Sequence, residues 1–501
     1  MRVFLLGLDG ATWDLLDPFM AKGAMPRLKA LCDRGARGVL RSTQPPVTPT
    51  AWTSFQTGMS PGKHGIYGFQ RVMPTEAGLT FELTDAFAIQ ARPFWERLGQ
   101  DERQTVIVNL PMTYPPRPLD GLLVTGFPTP SQGTAYTYPQ GLKDELLNAV
   151  PDYRVPTWEH DGPVTDRDVD AFTDSMTRMA TARQRAARYL MHTRDWGVFV
   201  LQFQATDFIQ HPLWHHLDPT HTHFQQRHHE TLLRFYETLD ALVGELVDDL
   251  GSDDHLILLS DHGFQRAERT FYVNRWLIER GWLQLNRQQH ALGYRALETL
   301  KHLDVFDLRR RWLSRDLQEE LKGGWVRMKF DWARSSAYAA ADHSGCFGLH
   351  LLPGADVNRL LDDLRGTLDP EHDVPIVQAI HSSEELYGNK PVNGAPDLLI
   401  ELREGYSALP ETDRSGPLFA SYEPGEDHQI GIHHPDGIIV AHGPEVAPQD
   451  DLHAHLVDIA PTVLHHLGLP VPTSMDGRVL TEFYRSDAPQ RGSVRYTDDA
   501  A

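Results

Sequence analysis

Acidic and histidine side chains flank several short apolar segments of the chain. Carboxylates follow three of these segments, and histidine accompanies two of them and precedes a fourth segment. The segments are Val3–Leu8, Gly197–Phe203, Leu256–Leu259 and Gly437–Ala441. The six side chains are Asp9, Asp207, His211, Asp261, His262 and His433. Carboxylate oxygen and imidazole nitrogen are ligands suited to zinc or manganese, so the pattern indicates a metal site.

The spacing of these residues indicates more than one ion. Asp207 and His211 are four residues apart, so on a helix they share one face and can reach the same ion. Asp261 and His262 are adjacent, so their side chains diverge and can serve neighbouring ions. Six ligands exceed what one tetrahedral zinc takes and match two ions that each keep an open position. Two metal ions about 4 Å apart are the usual clamp for in-line displacement at phosphorus.

The elements that must position these side chains are predicted from apolar patterning. Continuous apolar runs without alternation are typical of strands buried on both faces of a parallel sheet. Besides the four segments above, such runs occur at Thr105–Leu110, Leu122–Thr125 and Asp397–Glu401. Helical spacing of apolar residues predicts helices at Pro26–Gly35, Arg167–Thr193 and Arg227–Leu250. The alternation predicts an α/β fold with a mostly parallel central sheet and helices on both faces, and ligands bind beyond the carboxyl ends of such strands.

Two stretches fit this alternation poorly and are predicted to be inserted segments that cap the sheet. The first forms part of residues 71–190, and the second is residues 266–345 with an amphipathic segment at Tyr294–Trp325. The core is then expected in three parts, with a short tail after them. These parts are residues 1–70, 191–265 and 346–490, and the tail is residues 491–501.

Composition narrows the class of protein. The chain has 501 residues and a formal net charge of −21, which argues against binding a nucleic-acid polymer or an anionic membrane surface. No apolar run approaches the roughly 18 residues of a membrane helix, so no membrane insertion is expected. Two cysteines do not make a disulfide framework and suit a reducing compartment, which predicts a cytoplasmic protein. A small phosphoester remains the expected partner, and the sequence leaves the oligomeric state open.

Further motifs reveal a resemblance to a known family. They are the opening Gly7-Leu8-Asp9-Gly10, a Thr/Ser-bearing segment before Thr57-Gly58, Pro61-x-x-His64-Gly65, Asp207-x-x-x-His211, Asp261-His262-Gly263, His433 before Gly437, Asp458-Ile459-Ala460-Pro461-Thr462 and Asp476-Gly477. In this order they resemble the type I phosphodiesterase/nucleotide pyrophosphatase group of the alkaline phosphatase superfamily. The resemblance implies an alkaline-phosphatase-like sandwich and two divalent metal ions. Zinc is preferred because each half-site carries histidine, and manganese is the alternative because the mixed carboxylate set tolerates both.

The same resemblance implies roles for individual residues. Asp207, His211 and His433 would hold one ion. Asp9, Asp261 and His262 would hold the other, together with the oxygen of the nucleophile. That nucleophile falls at Thr48, which implies a phosphothreonine intermediate, because coordination to a metal ion is one way to activate a hydroxyl.

The segment around the nucleophile departs from the family pattern. In well-known nucleotide pyrophosphatases an Asn stands three residues after the nucleophile, where this chain has Ala51. The following residue, Pro49, has no N–H to offer a phosphoryl oxygen. These departures keep Thr50 as a rival nucleophile. Six other histidines crowd one segment and are expected to be solvated, namely His215, His216, His221, His223, His228 and His229.

These observations predict a metal-dependent phosphoric ester hydrolase, of the phosphodiesterase or nucleotide pyrophosphatase type. A phosphomonoesterase, a phosphonate hydrolase and a phosphotransferase remain alternatives, because the same two-metal core serves all of them. A monoesterase needs extra positive charge, and the sequence has no obvious arginine beside the motifs, although Arg41 could supply it. A non-catalytic protein that keeps the metals as a structural clamp is the alternative from another class.

Overall fold

The structure is a computed structural model that describes residues 2–75, 78–101, 104–156, 163–286, 329–341, 344–388, 394–412, 416–424 and 429–498. The chain divides into two compact units. The first comprises Met1–His64, Asp85–Glu268 and Tyr422–Ala501, and the second comprises Gly65–Thr84 and Arg269–Ser421. The amphipathic segment predicted at Tyr294–Trp325 lies outside the described residues.

The elements of the described residues are numbered in chain order. The strands are β1 (Val3–Leu8), β2 (Ala36–Arg41), β3 (Gln70–Thr75), β4 (Gly78–Leu83), β5 (Thr105–Leu110), β6 (Gly121–Thr125), β7 (Thr137–Tyr138), β8 (Val198–Phe203), β9 (His255–Leu259), β10 (Gly263–Arg266), β11 (Arg269–Tyr272), β12 (Ala337–Ala341), β13 (Cys346–Leu351), β14 (Leu368–Asp369), β15 (Val374–Pro375), β16 (Val377–Ser382), β17 (Leu398–Leu402), β18 (Tyr406–Leu409), β19 (Phe419–Ser421), β20 (Gly431–His434), β21 (Asp436–His442), β22 (Gln449–His455), β23 (Val471–Pro472) and β24 (Tyr496–Thr497). The α-helices are α1 (Trp13–Ala21), α2 (Pro26–Arg34), α3 (Thr48–Thr57), α4 (Pro61–His64), α5 (Leu142–Ala149), α6 (Val169–Thr193), α7 (Ala205–Leu217), α8 (Gln226–Asp248), α9 (Val273–Glu279), α10 (Val357–Arg365), α11 (Ser383–Tyr387) and α12 (Ile459–His466). Short 3₁₀ helices lie at Phe94–Asp101, Trp332–Arg334, Leu456–Asp458, Thr481–Phe483 and Pro489–Arg491.

The first unit is built on a nine-stranded sheet in the order β22-β2-β21-β9-β1-β8-β5-β6-β7. Its strands run in one direction except for β21 and β7, which pair antiparallel with their neighbours. Strands β1, β5, β8 and β9 are buried along their whole length, which explains their continuous apolar runs. The predicted α/β fold with a mostly parallel sheet is confirmed.

The residues of β1 alternate between two hydrophobic cores, one on each face of the sheet. Phe4 and Leu6 pack with residues of α1, α2, α6, α7 and α8. Val3 and Leu5 pack with residues of α3 and α12 in the other core. Helices therefore cover both faces, and the carboxyl ends of β8, β1 and β9 lie side by side at the centre of the sheet.

Three strands differ from the sequence prediction. The run Gly437–Ala441 was expected to be parallel, but it lies in β21, which pairs antiparallel with β2 and β9. The predicted parallel strand Asp397–Glu401 is wrong, because this run forms β17, which pairs antiparallel with β13 and β16 in the second unit. The strand β2 was not predicted, because half-buried Arg37 and Arg41 alternate with its buried residues and leave no continuous apolar run. An apolar run thus reports burial of a strand and not its direction.

The second unit has its own hydrophobic core. Its largest sheet has the order β12-β13-β17-β16, and a smaller sheet has the order β18-β11-β19. Phe271, Trp276 and Phe347 are buried in the core that these sheets share with α9 and α10.

Candidate functional site

One group of predicted ligands lies where β8 continues into α7. Asp207 and His211 stand one helical turn apart on α7, as their spacing predicts. His433 on β20 completes the group, which we call the Asp207 cluster. Asp207 Oδ1 lies 3.3 Å from His211 Nε2 and 3.4 Å from His433 Nε2, and the two Nε2 atoms are 3.1 Å apart. Three potential ligand atoms therefore converge on one point.

The two histidines of the Asp207 cluster are oriented by backbone carbonyls. His211 Nδ1 lies 3.0 Å from the carbonyl oxygen of Gly431, and His433 Nδ1 lies 2.9 Å from that of Pro46. A carbonyl only accepts, so each Nδ1 carries the hydrogen and donates it. Each Nε2 then keeps its lone pair, which is the arrangement found for histidines that bind a metal ion.

The direction of β21 explains why His433 precedes its strand while the carboxylates follow theirs. Strand β20 pairs antiparallel with β10, and β21 pairs antiparallel with β9. An antiparallel strand enters the sheet at the edge where its parallel neighbours end. His433 therefore reaches the same edge as Asp207 and Asp261, although it lies on the other side of its strand in the sequence.

The other predicted ligands form a second group, the Asp9 cluster, made of Asp9, Asp261 and His262. One ligand atom from each residue lies within 4.8 Å of the other two. His262 Nε2 is 3.3 Å from Asp261 Oδ2 and 3.8 Å from Asp9 Oδ1. All three side chains are completely buried. Asp9 and Asp261 come from the ends of the adjacent strands β1 and β9, which is why they meet.

Each carboxylate of the Asp9 cluster has one oxygen held by the protein and one without a partner. Asp9 Oδ2 accepts from Trp52 Nε1 at 2.9 Å and from Gln202 Nε2 at 2.5 Å, and Asp261 Oδ1 accepts from the Gly10 amide at 3.2 Å. The other oxygens, Asp9 Oδ1 and Asp261 Oδ2, are buried without a hydrogen bond. The same is true of His262 Nε2 and of Asp207 Oδ1, although buried polar atoms are rarely left unpaired.

The two clusters are direct neighbours. The imidazole rings of His262 and His433 stack with their centroids 3.7 Å apart and their planes at 23°. The unpartnered atoms are the ones that would face metal ions, and both donor sets mix carboxylate with imidazole. The residues therefore fit two divalent cations held side by side.

The ionisation of the clusters supports this interpretation. Burial raises the pKa of Asp9 and of Asp261 well above the ordinary value, and neighbouring carboxylates add to the shift. At Asp207 burial acts in the same direction, but the adjacent imidazoles outweigh it and lower the pKa. Burial lowers the pKa of His262 and of His433, so both rings are neutral at neutral pH. Three carboxylates buried this close together favour positive charge beside them, which divalent cations would supply.

Thr48 is the first residue of α3, and the geometry of this helix separates it from Thr50. Trp52, which donates to Asp9, lies about 40° around the helix from Thr48 and about 200° from Thr50. Thr48 thus shares the face of α3 that points to the Asp9 cluster, and Thr50 lies on the other face. Thr48 is 4% exposed, whereas Thr50 is completely buried and its Oγ1 has no hydrogen-bond partner.

Sequence reasoning missed the residues that hold the ligands. Asn109 Nδ2 donates to Gln202 Oε1 at 2.8 Å, and Gln202 Nε2 donates to Gln204 Oε1 at 3.0 Å as well as to Asp9. Gln204 Nε2 lies 3.5 Å from Asp207 Oδ2, so a row of amides links both clusters. In the sequence, the one sign of these supporting contacts is the polar Gln202 within the otherwise apolar strand β8. Nothing in the sequence pointed to Trp52.

The opening motif has a packing role as well. A Cβ atom on Gly7 would lie 2.5 Å from Cη2 of Trp52, so only glycine lets the indole reach Asp9. Gly10 has a φ of +65°, and a Cβ there would lie 2.5 Å from the ring of Phe264. Both glycines of the motif therefore make room for aromatic side chains at the site.

Arg41, the arginine considered from the sequence, and Lys63 have other partners. Arg41 Nη1 lies 2.7 Å from Asp436 Oδ1. Lys63 Nζ donates to the carbonyl of Ser474 at 2.8 Å and to Asp476 Oδ1 at 2.5 Å. The positive charges of both side chains are therefore already paired with a carboxylate or a carbonyl oxygen.

The prediction that the additional histidines are solvated is wrong for most of them. The helices α7 and α8 pack against each other and cover these side chains. His223 alone of the six is exposed. The buried ones are His215, His216, His221, His228 and His229.

A search for membrane spans gives a negative result for the part of the chain that the structure describes. None of its helices combines the length and the apolar character that crossing a bilayer requires.

Comparison with solved structures identifies the fold. Phosphonoacetate hydrolase from Sinorhizobium meliloti 1021, in complex with phosphonoformate, superposes with a TM-score of 0.59 at 15% identity and covers 92% of this chain and 94% of its own. Murine ectonucleotide pyrophosphatase/phosphodiesterase 5 gives a TM-score of 0.56 at 13% identity, covering 97% of this chain and 100% of its own. The human counterpart gives 0.54 at 14% identity, with coverages of 96% and 98%.

Comparison of the sequence identifies the family. No curated protein matches the chain. The profile of the family "Type I phosphodiesterase / nucleotide pyrophosphatase" matches residues 3–434, which include every predicted ligand and Thr48. Family and structural neighbours together indicate a phosphoester hydrolase. The resemblance seen in the motifs is therefore confirmed, and the chain belongs to the type I phosphodiesterase/nucleotide pyrophosphatase family.

Proposed function

We propose that the chain is a two-metal-dependent phosphodiesterase or nucleotide pyrophosphatase that acts through a phosphothreonine on Thr48. The observation that carries the proposal is the pair of adjacent clusters, each with buried ligand atoms that lack a partner. The stacked rings of His262 and His433 place the two clusters side by side. Two metal ions held this close suit in-line displacement at phosphorus.

Seven residues would hold the ions. One ion would lie in the Asp207 cluster, and the other in the Asp9 cluster with Thr48 Oγ1 beside it. When bound, the ions would supply Lewis-acid charge that activates a hydroxyl and stabilises phosphoryl oxygens. Each cluster contains imidazole, which favours zinc, while the carboxylates also admit manganese.

The residues of the chain then have separate tasks. Thr48 Oγ1 attacks phosphorus in line with the leaving oxygen, the bond to that oxygen breaks, and a phosphothreonine forms. Water next attacks phosphorus, breaks its bond to Thr48 Oγ1 and releases the phosphorylated product. Trp52 and Gln202 hold Asp9, while the carbonyls of Pro46 and Gly431 hold the two histidines. Positioning and charge neutralisation are most of what such a displacement requires.

The helix geometry supports Thr48 over Thr50 as the nucleophile. Thr48 shares a face of α3 with Trp52, whose indole contacts Asp9. Thr50 lies on the opposite face and is completely buried, so a substrate would not reach its hydroxyl. One of the similar structures also supports a threonine nucleophile. It is murine ectonucleotide pyrophosphatase/phosphodiesterase 5 with a threonine-to-alanine change, described as inactive and in complex with AMP.

The charges of the clusters support a diester over a monoester. The buried carboxylates repel a phosphoryl group with two negative charges more strongly than one with a single charge. The arginine that could offset this repulsion, Arg41, is paired with Asp436. A phosphomonoesterase or phosphotransferase thus has less support from the described residues.

A phosphonate hydrolase is the second candidate. It is favoured by the likeness to phosphonoacetate hydrolase, at a TM-score of 0.59. The carbon–phosphorus bond of a phosphonate would be cleaved in the same kind of site. Rates with a diester and with a phosphonate therefore distinguish the two candidate functions.

The partner we propose is a small phosphoester, and not a nucleic-acid polymer, because the net charge is −21. We also propose a cytoplasmic location. It is supported by Cys32 and Cys346, which are buried and form no disulfide, as expected in a reducing compartment.

Initial rates with zinc- and manganese-loaded protein would test the proposal. The substrates are bis-p-nitrophenyl phosphate, p-nitrophenyl phosphate and phosphonoacetate. We expect the diester to be preferred, and Thr48→Ala to abolish turnover while metal content stays unchanged. The matched control is Thr50→Ala, which makes the same change on the other face of α3 and should keep most of the activity.

Other outcomes would identify the alternatives. Loss of activity in Thr50→Ala but not in Thr48→Ala would exchange the roles of the two threonines. A preference for the monoester or for phosphonoacetate would replace the diesterase assignment. Failure on all substrates with metal bound would leave a transferase or a metal-clamped binding protein.

A further inference from the structure

A third group of potential ligands lies apart from the two clusters described above. It consists of Asp166, His215 and His216, and we call it the Asp166 cluster. One ligand atom from each residue lies within 4.8 Å of the other two. His215 and His216 stand near the end of α7, and Asp166 precedes α6. Nothing in the proposed reaction uses these residues.

The Asp166 cluster borders a cavity of about 380 Å³. His215 and Asp166 line the cavity together with His223 and Gln225. His215 is 2% exposed, and its Nδ1 has no hydrogen-bond partner. A nearly buried imidazole with a free nitrogen at the wall of a cavity is a ready ligand.

His216 has the same character. Its side chain is completely buried, its Nε2 lies 3.3 Å from Asp166 Oδ1, and its Nδ1 has no partner. The rings of His215 and His216 lie with centroids 3.8 Å apart. His228 on α8 lies 4.7 Å from the His216 ring, and its Nδ1 is also buried without a partner. Three imidazoles thus crowd together with free nitrogens, although unpaired buried groups are costly.

The rings are in the form that binds metal. Burial and, to a smaller extent, the neighbouring histidines lower the pKa of His215 to about 3 and that of His216 to about 4. Both rings are therefore neutral at neutral pH and keep a lone pair. Asp166 is more exposed, and hydrogen bonds from Gln225 and His216 lower the pKa of its carboxyl, so it is ionised.

We propose that the Asp166 cluster binds a third divalent transition-metal ion, with zinc as the best match. Two imidazoles and one carboxylate are a common donor set for zinc, which takes four ligands. His228, whose ring centroid lies 4.7 Å from that of His216, is available as a further donor, and the cavity leaves room for water. An ion here would give the unpaired nitrogens a partner and would offset the charge of the carboxylate.

The consequence would be mechanical rather than catalytic. Asp166 Oδ2 accepts from Gln225 Nε2 at 2.5 Å, just before α8, while Asp166 Oδ1 faces His216 on α7. An ion would therefore tie the segment before α6 to the end of α7. The same helix carries Asp207 and His211 near its start, so fixing its end would restrain the helix that supplies the Asp207 cluster.

The test counts ions per chain. Full-length protein is stripped with a chelator, reloaded with Zn²⁺ and passed over a desalting column, and its zinc is measured by mass spectrometry. We expect Asp166→Ala and His215→Gln each to hold one ion fewer than the unaltered protein. The Asp166 side chain is 53% exposed, so we expect its substitution to leave folding intact even if that of buried His215 does not.

The matched control is Asp174→Ala, which removes an exposed carboxylate from α6 outside the cluster. It should leave the zinc content unchanged. Because the readout is the difference from the unaltered protein, it does not depend on how many ions the Asp207 and Asp9 clusters hold or on any activity. Equal zinc content in Asp166→Ala, His215→Gln and the unaltered protein would overturn the proposal, and so would an equal loss in Asp174→Ala.

Discussion

Replacing Trp52 with phenylalanine isolates one hydrogen bond to a predicted metal ligand. Trp52 Nε1 donates to Asp9 Oδ2 at 2.9 Å, and both side chains are buried. Trp52→Phe keeps an aromatic ring in the core beside Phe55 but removes the donor. Without this donor, the carboxylate of Asp9 is less well oriented and its negative charge is less stabilised. We therefore expect weaker binding of the ion at the Asp9 cluster.

The size of the effect follows from the contacts of Asp9 Oδ2. A hydrogen bond to a charged group contributes about 1.5–3 kcal/mol, and about 1.4 kcal/mol corresponds to a factor of ten in affinity. Gln202 Nε2 still donates to the same oxygen at 2.5 Å, so the carboxylate keeps one of its two partners. The loss should thus fall at the lower end, about tenfold in dissociation constant, within the range of about 10- to 100-fold seen for outer-shell partners.

Competition with a zinc-binding dye of known affinity measures the dissociation constant of each zinc site. We expect that of the Asp9 cluster to rise about tenfold and that of the Asp207 cluster to change much less. Trp95→Phe is the matched control, because Trp95 is buried in the same core, where it packs against Phe94. Unchanged affinities in Trp52→Phe would refute the reasoning. An equal change in Trp95→Phe would trace the effect to core packing and not to the hydrogen bond.

Two further predictions concern stability. Burial and the charge of Asp261 raise the pKa of Asp9 above its unfolded value of 3.8, so in metal-free protein ionised Asp9 destabilises the fold increasingly as pH rises above that value. Metal-free Asp9→Asn should thus unfold at a higher temperature than unaltered metal-free protein at pH 8, with the difference vanishing towards pH 4; a constant difference would contradict this. In the second unit Arg269 contacts buried Asp369 through two hydrogen bonds of 2.9 and 3.1 Å. Asp369→Ala should lower the free energy of unfolding by about 3 kcal/mol in denaturant titrations, whereas removal of exposed Glu371, which also contacts Arg269, should cost less than about 1 kcal/mol.

The sequence predicted the parts of the site that depend on local order along the chain. Apolar runs located β1, β8 and β9, and the residues that follow them supplied Asp9, Asp207 and Asp261. These carboxylates meet because the three strands are neighbours in the sheet, and strand order is a property of the whole fold. The ligand types could thus be found from the sequence, but their proximity needed the structure or the family resemblance.

Other features could not be predicted because they depend on long-range contacts. The amide row of Asn109, Gln202 and Gln204 joins residues up to 95 positions from one another, counted from Asn109 to Gln204. A single glutamine in an apolar strand does not reveal its partner. The burial of the histidines on α7 and α8 could not be predicted either. The sequence around a histidine near a helix end does not indicate whether its side chain is buried or exposed. Their burial follows from the packing of the two helices.

The contacts of the two clusters connect the proposed nucleophile, Thr48, to the predicted ligands. The Asp9 cluster is completely buried, and side chains hold its Asp9. Asp207, His211 and His433 are 5%, 7% and 6% exposed, and backbone carbonyls hold the two histidines. One of these carbonyls belongs to Pro46, two residues before Thr48. The segment that orients His433 therefore also starts the helix that carries Thr48, and through the indole of α3 it is tied to Asp9 as well. A movement of this segment would displace the proposed nucleophile and a ligand of the neighbouring cluster together, so their separation depends on one short piece of backbone rather than on two independent ones.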